Sequence, residues 1–223
     1  MGERPWGPDV SHYQGRINWP KVKAAGAGFV FLKATEGTSV DSRFHDRWSG
    51  IYKAGFKIRG AYHYAHIEGD PIAQARFFVS TLLSAGKITA GDFLILDAED
   101  VDKDSRRISP RATAAWVKAW LDEVVRLTGL PRSRVLVYTG PWWWNPRTGD
   151  SAIAVDHSLW LSKYVAEPSV KPDDWLPWRI WRFWQYTDKR FVSGIGPCDA
   201  SYFNGSSRGL WWLSGRPLRL FGK

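Results

Sequence analysis

The sequence predicts an α/β barrel of eight mostly parallel strands, with its helices concentrated in the first two thirds of the chain. Two observations indicate this fold class. Short apolar segments alternate with helical segments as far as Thr139, which is typical of parallel strands joined by helices. After Thr139 the helical periodicity fades into stretches rich in tryptophan and proline, at 142–146 and 168–177, which we expect to be loops. The barrel should therefore be well covered by helices on one side only.

The individual elements are marked by their ends as well as by their apolar residues. Proline lies at the start of three predicted helices, 19–26, 71–85 and 110–128, and glycine stops a fourth, 41–54. The predicted strands are the apolar segments at 7–11, 28–35, 58–65, 93–96, 135–139, 159–164 and 183–186, with an eighth starting at 198.

The fourth strand carries the residues on which the functional prediction depends. Its apolar run leads into Asp97, Ala98, Glu99 and Asp100. Side chains alternate along a strand, so Asp97 and Glu99 face the same side, with Cβ atoms ~7 Å apart. Two carboxylates at that separation can flank a glycosidic bond, but the value lies between the separations typical of retaining and inverting enzymes. The spacing therefore suggests a glycosidase-like pair without fixing the stereochemistry.

By themselves, two acidic residues after a strand are as typical of a solvated loop or of a cap of the next helix as of a catalytic pair. Here, however, three further strand-like segments, at 8–11, 31–36 and 197–200, also end in polar residues. In a β/α barrel the carboxyl ends of the strands build the active site. Carboxylates brought together there would repel one another unless they share protons, an arrangement that raises the pKa of a carboxylic acid.

Composition limits the domain organisation and the partners. The 223 residues, 44% of them hydrophobic, suit one domain, predicted at 1–206, followed by a basic tail at 207–223. The net charge of +9 favours polyanions, and the 15 tryptophans favour carbohydrate, although tryptophan also fills cores. The lone Cys198 excludes an internal disulfide, and no apolar run approaches the ~18 residues of a membrane span. The N-terminus lacks the apolar core of a signal peptide, which predicts synthesis in a cytoplasm, or secretion if a leader has been removed.

Seven motifs, in this order, resemble those of the family 25 glycoside hydrolases, the muramidase-type lysozymes of bacteria, fungi and bacteriophage endolysins. They are DVSHYQG at 9–15, KATEG at 33–37, GAYHY at 60–64, LDAE at 96–99, WLSKY at 160–164, WQY at 184–186 and DAS at 199–201. Each is weak alone, but the full set spans nearly the whole chain. The resemblance implies a flattened, TIM-like barrel that cleaves the β-1,4 bond between N-acetylmuramic acid and N-acetylglucosamine in peptidoglycan.

The resemblance also implies roles for individual residues. Glu99 is expected to be the general acid, with Asp97 as its partner in a retaining reaction. Asp97 would act either as a nucleophile or by orienting the 2-acetamido group of the substrate. The expected substrate-binding residues are Asp9, Asp199, Tyr62, Lys33, Tyr138, Trp160, Tyr164 and Gln185. No metal or other cofactor is expected, because the five histidines form no ligand motif.

The predicted setting is the catalytic domain of a bacteriophage endolysin, a monomer made in the host cytoplasm that meets the cell wall after release. Its partners would be peptidoglycan strands and, through its charge, anionic wall polymers, without nucleic-acid binding or membrane insertion. A nucleic-acid binder is suggested only by charge, and acids at the cleft would repel phosphate. The remaining alternatives are an inactive glycan-binding module and a related hexosaminidase such as a chitinase. The tryptophans at 142–144 and at 175, 178 and 181 either widen an aromatic sugar platform or pack within loops.

Overall fold

The computed structural model describes residues 4–100, 105–164 and 177–214. Its strands are β1 (Trp6–Val10), β2 (Val30–Glu36), β3 (Ser39–Val40), β4 (Arg59–Tyr64), β5 (Asp92–Asp97), β6 (Val135–Thr139), β7 (Ser158–Ser162), β8 (Trp181–Val192) and β9 (Gly196–Phe203). Its α-helices are α1 (Trp19–Ala24), α2 (Phe44–Lys53), α3 (Pro71–Ala85), α4 (Pro110–Thr128), α5 (Pro141–Thr148) and α6 (Ser207–Trp212). Short 3-10 turns lie at Ser105–Arg107 and Arg132–Arg134.

Eight of these strands close into a barrel. Their order is β1, β2, β4, β5, β6, β7, β8 and β9, and β9 returns to pair with β1. Neighbours from β1 through β8 run parallel, whereas β9 runs antiparallel to both of its neighbours. The two-residue strand β3 lies outside the barrel as a hairpin partner of β2. The predicted fold class, a mostly parallel barrel poor in helices in its second half, is confirmed.

Aromatic side chains fill the inside of the barrel. The ring of Phe31 lies 4.9 Å from that of Phe183 and 6.5 Å from that of Phe93, both edge-on, measured between centroids. Because side chains alternate along a strand, Phe93 shares the inner face of β5 with Asp97, and Phe183 shares that of β8 with Gln185. The alternation that packs the lower barrel with phenylalanine therefore presents polar groups at the carboxyl ends of the strands.

The helices pack their apolar faces against the outside of the barrel. The longest, α4, begins at the cap residue Ser109, whose side chain accepts a hydrogen bond from the Ala112 backbone N–H, and ends at Gly129 in the left-handed conformation (φ 67°). Its buried face includes Trp116 and Trp120. None of the helices in the described part of the chain combines the length and the apolar character needed to cross a membrane.

The predicted loop at 142–146 is wrong, because this stretch belongs to helix α5. Pro141 at the start and Gly149 after the end (φ 64°) are ordinary helix-boundary signals. The rings of Trp143 and Trp144 are buried, and the latter lies 4.7 Å from the ring of Trp178. Burial of these rings, rather than helical propensity, stabilises so short a helix. Most of the other predicted loop, residues 168–176 with Trp175, lies outside the described residues.

The last strands also extend further than the sequence indicates. Strand β8 continues six residues beyond the predicted end at Tyr186, because a long hairpin carries it out to Val192 before β9 returns. The turn of this hairpin contains Gly194 and Gly196 at φ 95° and 102°, a conformation that favours glycine. Strand β3 is not predicted at all, since two exposed residues carry no apolar pattern.

The start of the C-terminal tail forms helix α6. The sequence predicts that Trp211, Trp212 and Leu213 pack on the domain, and this is only partly correct. Leu210 is buried and Leu213 packs against the inner aromatic cluster, whereas both tryptophan side chains are exposed. Residues three apart share a helix face, so the two leucines point inwards together and the tryptophans between them point out. The predicted linker at 216–223 lies outside the described residues.

Candidate active site

The acidic pair of the fourth parallel strand lies at the mouth of the barrel. Asp97 is the last residue of β5 and is buried, and Glu99 follows two residues later. Among the described residues nothing donates a hydrogen bond to the buried Oδ1 atom of Asp97. Glu99 is less enclosed, and its side chain lines an open cavity of about 570 Å³. The more accessible of the two carboxyl groups is therefore Glu99.

A second pair of carboxyl groups lies on the opposite wall. The antiparallel pairing of β1 with β9 places Asp9 directly opposite Asp199. Their side chains are hydrogen-bonded to each other. Asp199 reaches the mouth because β9 runs antiparallel, so that the early part of this strand lies beside the late part of β1. The reversed last strand thus contributes an acid that a parallel strand would have placed at the other end of the barrel.

A hydrogen-bonded network anchors Asp9. The side-chain amide of Gln185 donates from Nε2 to both carboxylate oxygens of Asp9, at 3.0 and 3.2 Å. The hydroxyl groups of Tyr138 and Tyr164 donate to Oε1 of the same amide, at 2.6 and 2.9 Å. The Gln185 amide therefore connects Asp9 to both tyrosine hydroxyls through one hydrogen-bonded network.

The floor of the site is Trp160. Its indole N–H donates to the Ser201 hydroxyl at 2.9 Å, and its ring lies 4.4 Å from that of Tyr138 and 6.2 Å from that of Tyr62. Trp160 is almost completely buried. Its place is therefore beneath the residues that line the open cleft, where it holds the two tyrosine rings in position.

Burial raises the pKa of Asp9, Asp97, Glu99 and Asp199, and charge repulsion within this cluster adds to the effect at the first three. Burial raises the pKa of Glu99 to about 7, with the charge of Asp199 acting in the same direction. Burial also raises the pKa of Asp97 well above its usual range, and the charge of Glu99 raises it further. Burial and the charge of Asp199 do the same to the pKa of Asp9. At neutral pH the four acids therefore hold protons among them, as expected for carboxyl groups that cannot all ionise together.

A cation, Lys33, lies beside this acidic cluster. The Lys33 ammonium lies 2.5 Å from a carboxylate oxygen of Glu36 and 4.9 Å from the centre of the Tyr64 ring. Its charge lowers the pKa of both Asp97 and Glu99, although less than burial raises them. Lys33 therefore limits the repulsion between the acids without cancelling it.

The two histidines beside the site are engaged in hydrogen bonds. His63 is fully buried, its Nδ1 lies 2.8 Å from the Thr35 hydroxyl, and burial lowers its pKa to about 3. His66 bridges the carboxylates of Glu36 and Glu68, at 3.1 and 3.0 Å. Within the described residues no group of three or more histidine, cysteine or acidic side chains is arranged to hold a metal ion.

A comparison with known families identifies the barrel. The sequence model of the family described as Glycosyl hydrolases family 25 matches residues 8–195, which contain almost the whole barrel. The chain belongs to this family. The resemblance that the seven motifs indicate is confirmed, and with it the class of enzyme, a glycosyl hydrolase.

Individual relatives within family 25 cover nearly the whole chain. Lysozyme M1 of Streptomyces globisporus is 34% identical over 214 residues, which are 93% of this chain and 70% of the relative. The bacterial lysozyme structure from Streptomyces coelicolor superposes with a TM-score of 0.81 at 32% identity, covering 96% of this chain and 98% of that one. The catalytic domain of endolysin ply40 from Listeria monocytogenes bacteriophage P40 gives a TM-score of 0.76 at 29% identity, covering 97% and 100%.

In this family 25 barrel the predicted site residues lie together, but at different depths. Glu99, Asp199, Tyr138 and Tyr164 line the open cavity. Buried positions beneath or behind them are occupied by Asp9, Asp97, Trp160 and Gln185. Tyr62 and Lys33 are partly buried on the opposite side. The buried residues are therefore placed to hold the cavity-lining residues in position.

Four lining residues were not among the predicted site residues, namely Pro141, Trp142, Ser162 and Lys163. Ser162 lines the cavity, and its Oγ lies 3.2 Å from the Tyr138 hydroxyl. The alternation along β7 that places Trp160 inside the barrel also places Ser162 inside, so the sequence contained this signal. Trp142 also lines the cavity. The sequence predicts either a sugar platform or loop packing for the run of three tryptophans, because nothing in it shows which ring faces out.

Proposed function

We propose that this protein is a peptidoglycan hydrolase, an N-acetylmuramidase that cleaves the β-1,4 bond between N-acetylmuramic acid and N-acetylglucosamine. The observation that carries the proposal is the position of Glu99, a partly buried carboxyl group with a raised pKa that lines an open cleft in a family 25 barrel. The names of the relatives, which include lysozymes and N,O-diacetylmuramidases, support the same substrate.

In the proposed reaction Glu99 acts as the general acid. Its protonated form donates a proton to the glycosidic oxygen of the departing N-acetylglucosamine. Without this proton the sugar would be a poor leaving group. Asp97 stabilises the positive charge that develops on the muramic acid ring, either by attacking its C1 atom or by orienting the 2-acetamido group that does so. Either route passes through an intermediate that water opens with Glu99 as base, and the product keeps the β configuration.

Asp9, Asp199 and Gln185 form the supporting wall in this proposal. The hydrogen bond between Asp9 and Asp199 keeps a proton in a pair that would otherwise add two charges beside Glu99. The negative charge of Asp199 in turn helps to raise the pKa of Glu99. The wall therefore keeps the acid protonated close to neutral pH while presenting oxygen atoms to the sugar.

Mass spectrometry of digested peptidoglycan tests the bond assignment. New reducing ends on muramic acid, with none on glucosamine, are expected for a muramidase. Reducing ends on glucosamine would contradict it, and efficient digestion of chitin oligomers would favour the related hexosaminidase. An inactive glycan-binding module would bind the wall but release no fragments, and a gel shift against single-stranded and duplex DNA tests the nucleic-acid alternative.

The first testable consequence is a loss of activity as the pH rises through about 7. Glu99 must hold its proton to donate it, and burial places its pKa at about 7, so the protonated fraction falls as the pH rises above that value. A profile of kcat/KM against pH on a soluble glycan should show a descending limb near pH 7. Circular dichroism at each pH serves as the control for unfolding. A profile that stays level up to pH 9 would contradict the assignment of Glu99 as the acid.

The positive charge of the chain supports a second proposal, that the enzyme is steered to anionic wall polymers. The net charge is +9, yet the cleft contains four acids, so most of the positive charge lies outside it. Arg208 is exposed on α6, and Arg216, Arg219 and Lys223 follow in the part of the tail outside the described residues. Attraction between this surface and teichoic-type phosphates would raise the local enzyme concentration at the wall.

Steering predicts that salt slows the lysis of whole walls but not the turnover of a short neutral glycan. Salt shortens the Debye length from ~30 Å at 0.01 M to ~8 Å at 0.15 M, which weakens attraction at a distance but leaves the chemistry inside the cleft largely intact. Turbidity loss of a wall suspension and release of reducing ends from a soluble oligomer would be followed at both ionic strengths. If salt affects the rates on the two substrates equally, steering is contradicted, and the net charge serves solubility only.

We further propose that the chain is the catalytic domain of a bacteriophage endolysin that acts as a monomer on the wall of the host in which it is made. The similarity to the phage P40 domain over its full length supports this setting. Lysis of intact host cells from within, after membrane permeabilisation, would be its test, with size-exclusion chromatography for the oligomeric state.

A further inference from the structure

The three consecutive tryptophans of α5 have different environments. Trp143 and Trp144 are buried, and their indole N–H groups donate to the backbone oxygens of Asp100 and Ser151, at 2.8 and 3.2 Å. Trp142 is 54% exposed, the largest exposed fraction of any tryptophan in the described part of the chain. Packing therefore explains the positions of Trp143 and Trp144, but it leaves more than half of the Trp142 side chain exposed.

The exposed ring of Trp142 rests against the backbone at Gly140. A Cβ atom built on Gly140 would lie 2.3 Å from Nε1 and 2.5 Å from Cδ1 of the Trp142 indole. The ring can rest there only because position 140 has no side chain. One edge of the indole is therefore in contact with the backbone, and 54% of the side chain stays accessible to a ligand.

The space in front of Trp142 is the cavity that Glu99 lines. Tyr164, which is 52% exposed, is the other exposed aromatic side chain among its lining residues. The Tyr164 ring is oriented by the hydrogen bond from its hydroxyl to Gln185, at 2.9 Å. Hydroxyl and carboxyl groups from Tyr138, Ser162, Asp199 and Glu99 form most of the remaining lining, together with Pro141 and Lys163.

These chemical features match a hexosamine ring. A pyranose presents C–H groups on its faces and hydroxyl groups around its edge, so it needs aromatic faces and polar atoms at the same time. The cavity volume of about 570 Å³ lies within the range of small-molecule sites. An aromatic surface used only for protein packing would not place carboxyl groups beside it.

We propose that Trp142 forms a sugar subsite on the leaving-group side of the scissile bond, where its indole stacks on the N-acetylglucosamine ring that departs. This inference rests on the proposed muramidase function and extends it. Glu99 lines this cavity and Asp97 does not. Because a general acid delivers its proton to the leaving oxygen, the sugar that carries this oxygen lies on the Glu99 side.

Two substrates distinguish this subsite from a general role of Trp142 in the cleft. A tetrasaccharide of alternating N-acetylglucosamine and N-acetylmuramic acid has sugars on both sides of the bond. The β-fluoride of the disaccharide GlcNAc-MurNAc has only fluoride as the leaving group. Replacing Trp142→Ala should lower kcat/KM on the tetrasaccharide about 10-fold, the effect of a lost aromatic stacking surface, and leave that on the fluoride unchanged.

Two further variants serve as controls. Trp142→Tyr keeps an aromatic face and should recover most of the activity on the tetrasaccharide. Trp211→Ala removes a similarly exposed tryptophan (43%) from α6, where Leu210 packs into the other end of the barrel, and should leave both substrates unaffected. Circular dichroism of each variant shows whether it has folded.

The outcomes separate the subsite from the function on which it rests. Wild-type activity of Trp142→Ala on the tetrasaccharide, or an equal loss on both substrates, would overturn the subsite while the muramidase function stands. A tyrosine variant as weak as the alanine variant would also count against stacking. If the wild-type and Trp211→Ala proteins cleave neither substrate, the muramidase function fails, and the subsite fails with it.

Discussion

Replacing Glu99 with glutamine is expected to abolish hydrolysis while the fold survives. The amide has nearly the same shape as the protonated carboxyl group, but it cannot deliver a proton to the leaving oxygen. Proton donation alone contributes about 10²–10⁴-fold to the rate of such reactions, so a loss of at least this size is expected in kcat. Release of reducing ends from purified peptidoglycan measures it, with circular dichroism and thermal unfolding to confirm that the variant is folded.

Glu68→Gln is the matched control for this substitution. Glu68 undergoes the same chemical change, but it is partly exposed and hydrogen-bonds His66 rather than lining the cleft. The activity of the Glu68→Gln variant should stay close to that of the wild type. A Glu99→Gln protein that retains more than about a tenth of the wild-type turnover would remove Glu99 from the role of general acid.

Replacing Asp97 with asparagine is expected to be nearly as severe, and it tests a different part of the mechanism. If Asp97 attacks the sugar or orients its 2-acetamido group, asparagine removes a negative charge that is needed mainly in the transition state, so kcat should fall while KM changes little. If Asp97 only positions the sugar, the loss should be found mainly in KM. A near-normal rate at saturating substrate would remove Asp97 from the catalytic pair.

The Asp97 variant is also informative about the acid. The charge of Glu99 raises the pKa of Asp97, so the two carboxyl groups influence each other's ionisation. Asparagine at position 97 removes one of these two ionisable groups. The pH profile of any residual activity should therefore have its descending limb shifted relative to that of the wild type. An unchanged profile would mean that the descending limb belongs to a group other than this pair.

Much of the site could be predicted from the sequence because the strand pattern encodes it directly. Alternation along the fourth parallel strand places Asp97 on the inner face, and the same rule places Lys33 and Tyr138 on the inner faces of their strands. The depth of each residue could not be predicted in this way. Whether a side chain such as Gln185 contacts the sugar or supports Asp9 depends on neighbours that are distant in sequence.

Two features were hidden from the sequence for physical reasons. The apolar run of three tryptophans in α5 has no periodicity, so it shows neither that the segment is helical nor that Trp142 alone faces the cleft. The direction of β9 was hidden as well, because side-chain alternation is the same in a parallel and an antiparallel strand. The position of Asp199 opposite Asp9 depends on that direction.

The closure of the barrel by β1 and β9 has a consequence for how the enzyme is made. Asp9 enters the ribosomal tunnel early, whereas its partner Asp199 is on the last strand, and even Gln185 is separated from Asp9 by 176 positions. Contacts between such distant parts of a chain form late in folding, since a long loop must first be ordered. A nascent chain therefore holds Asp97 and Glu99 without the opposite wall of the site. The ability to cut glycan should arise only after β9 has been synthesised and has left the ribosome.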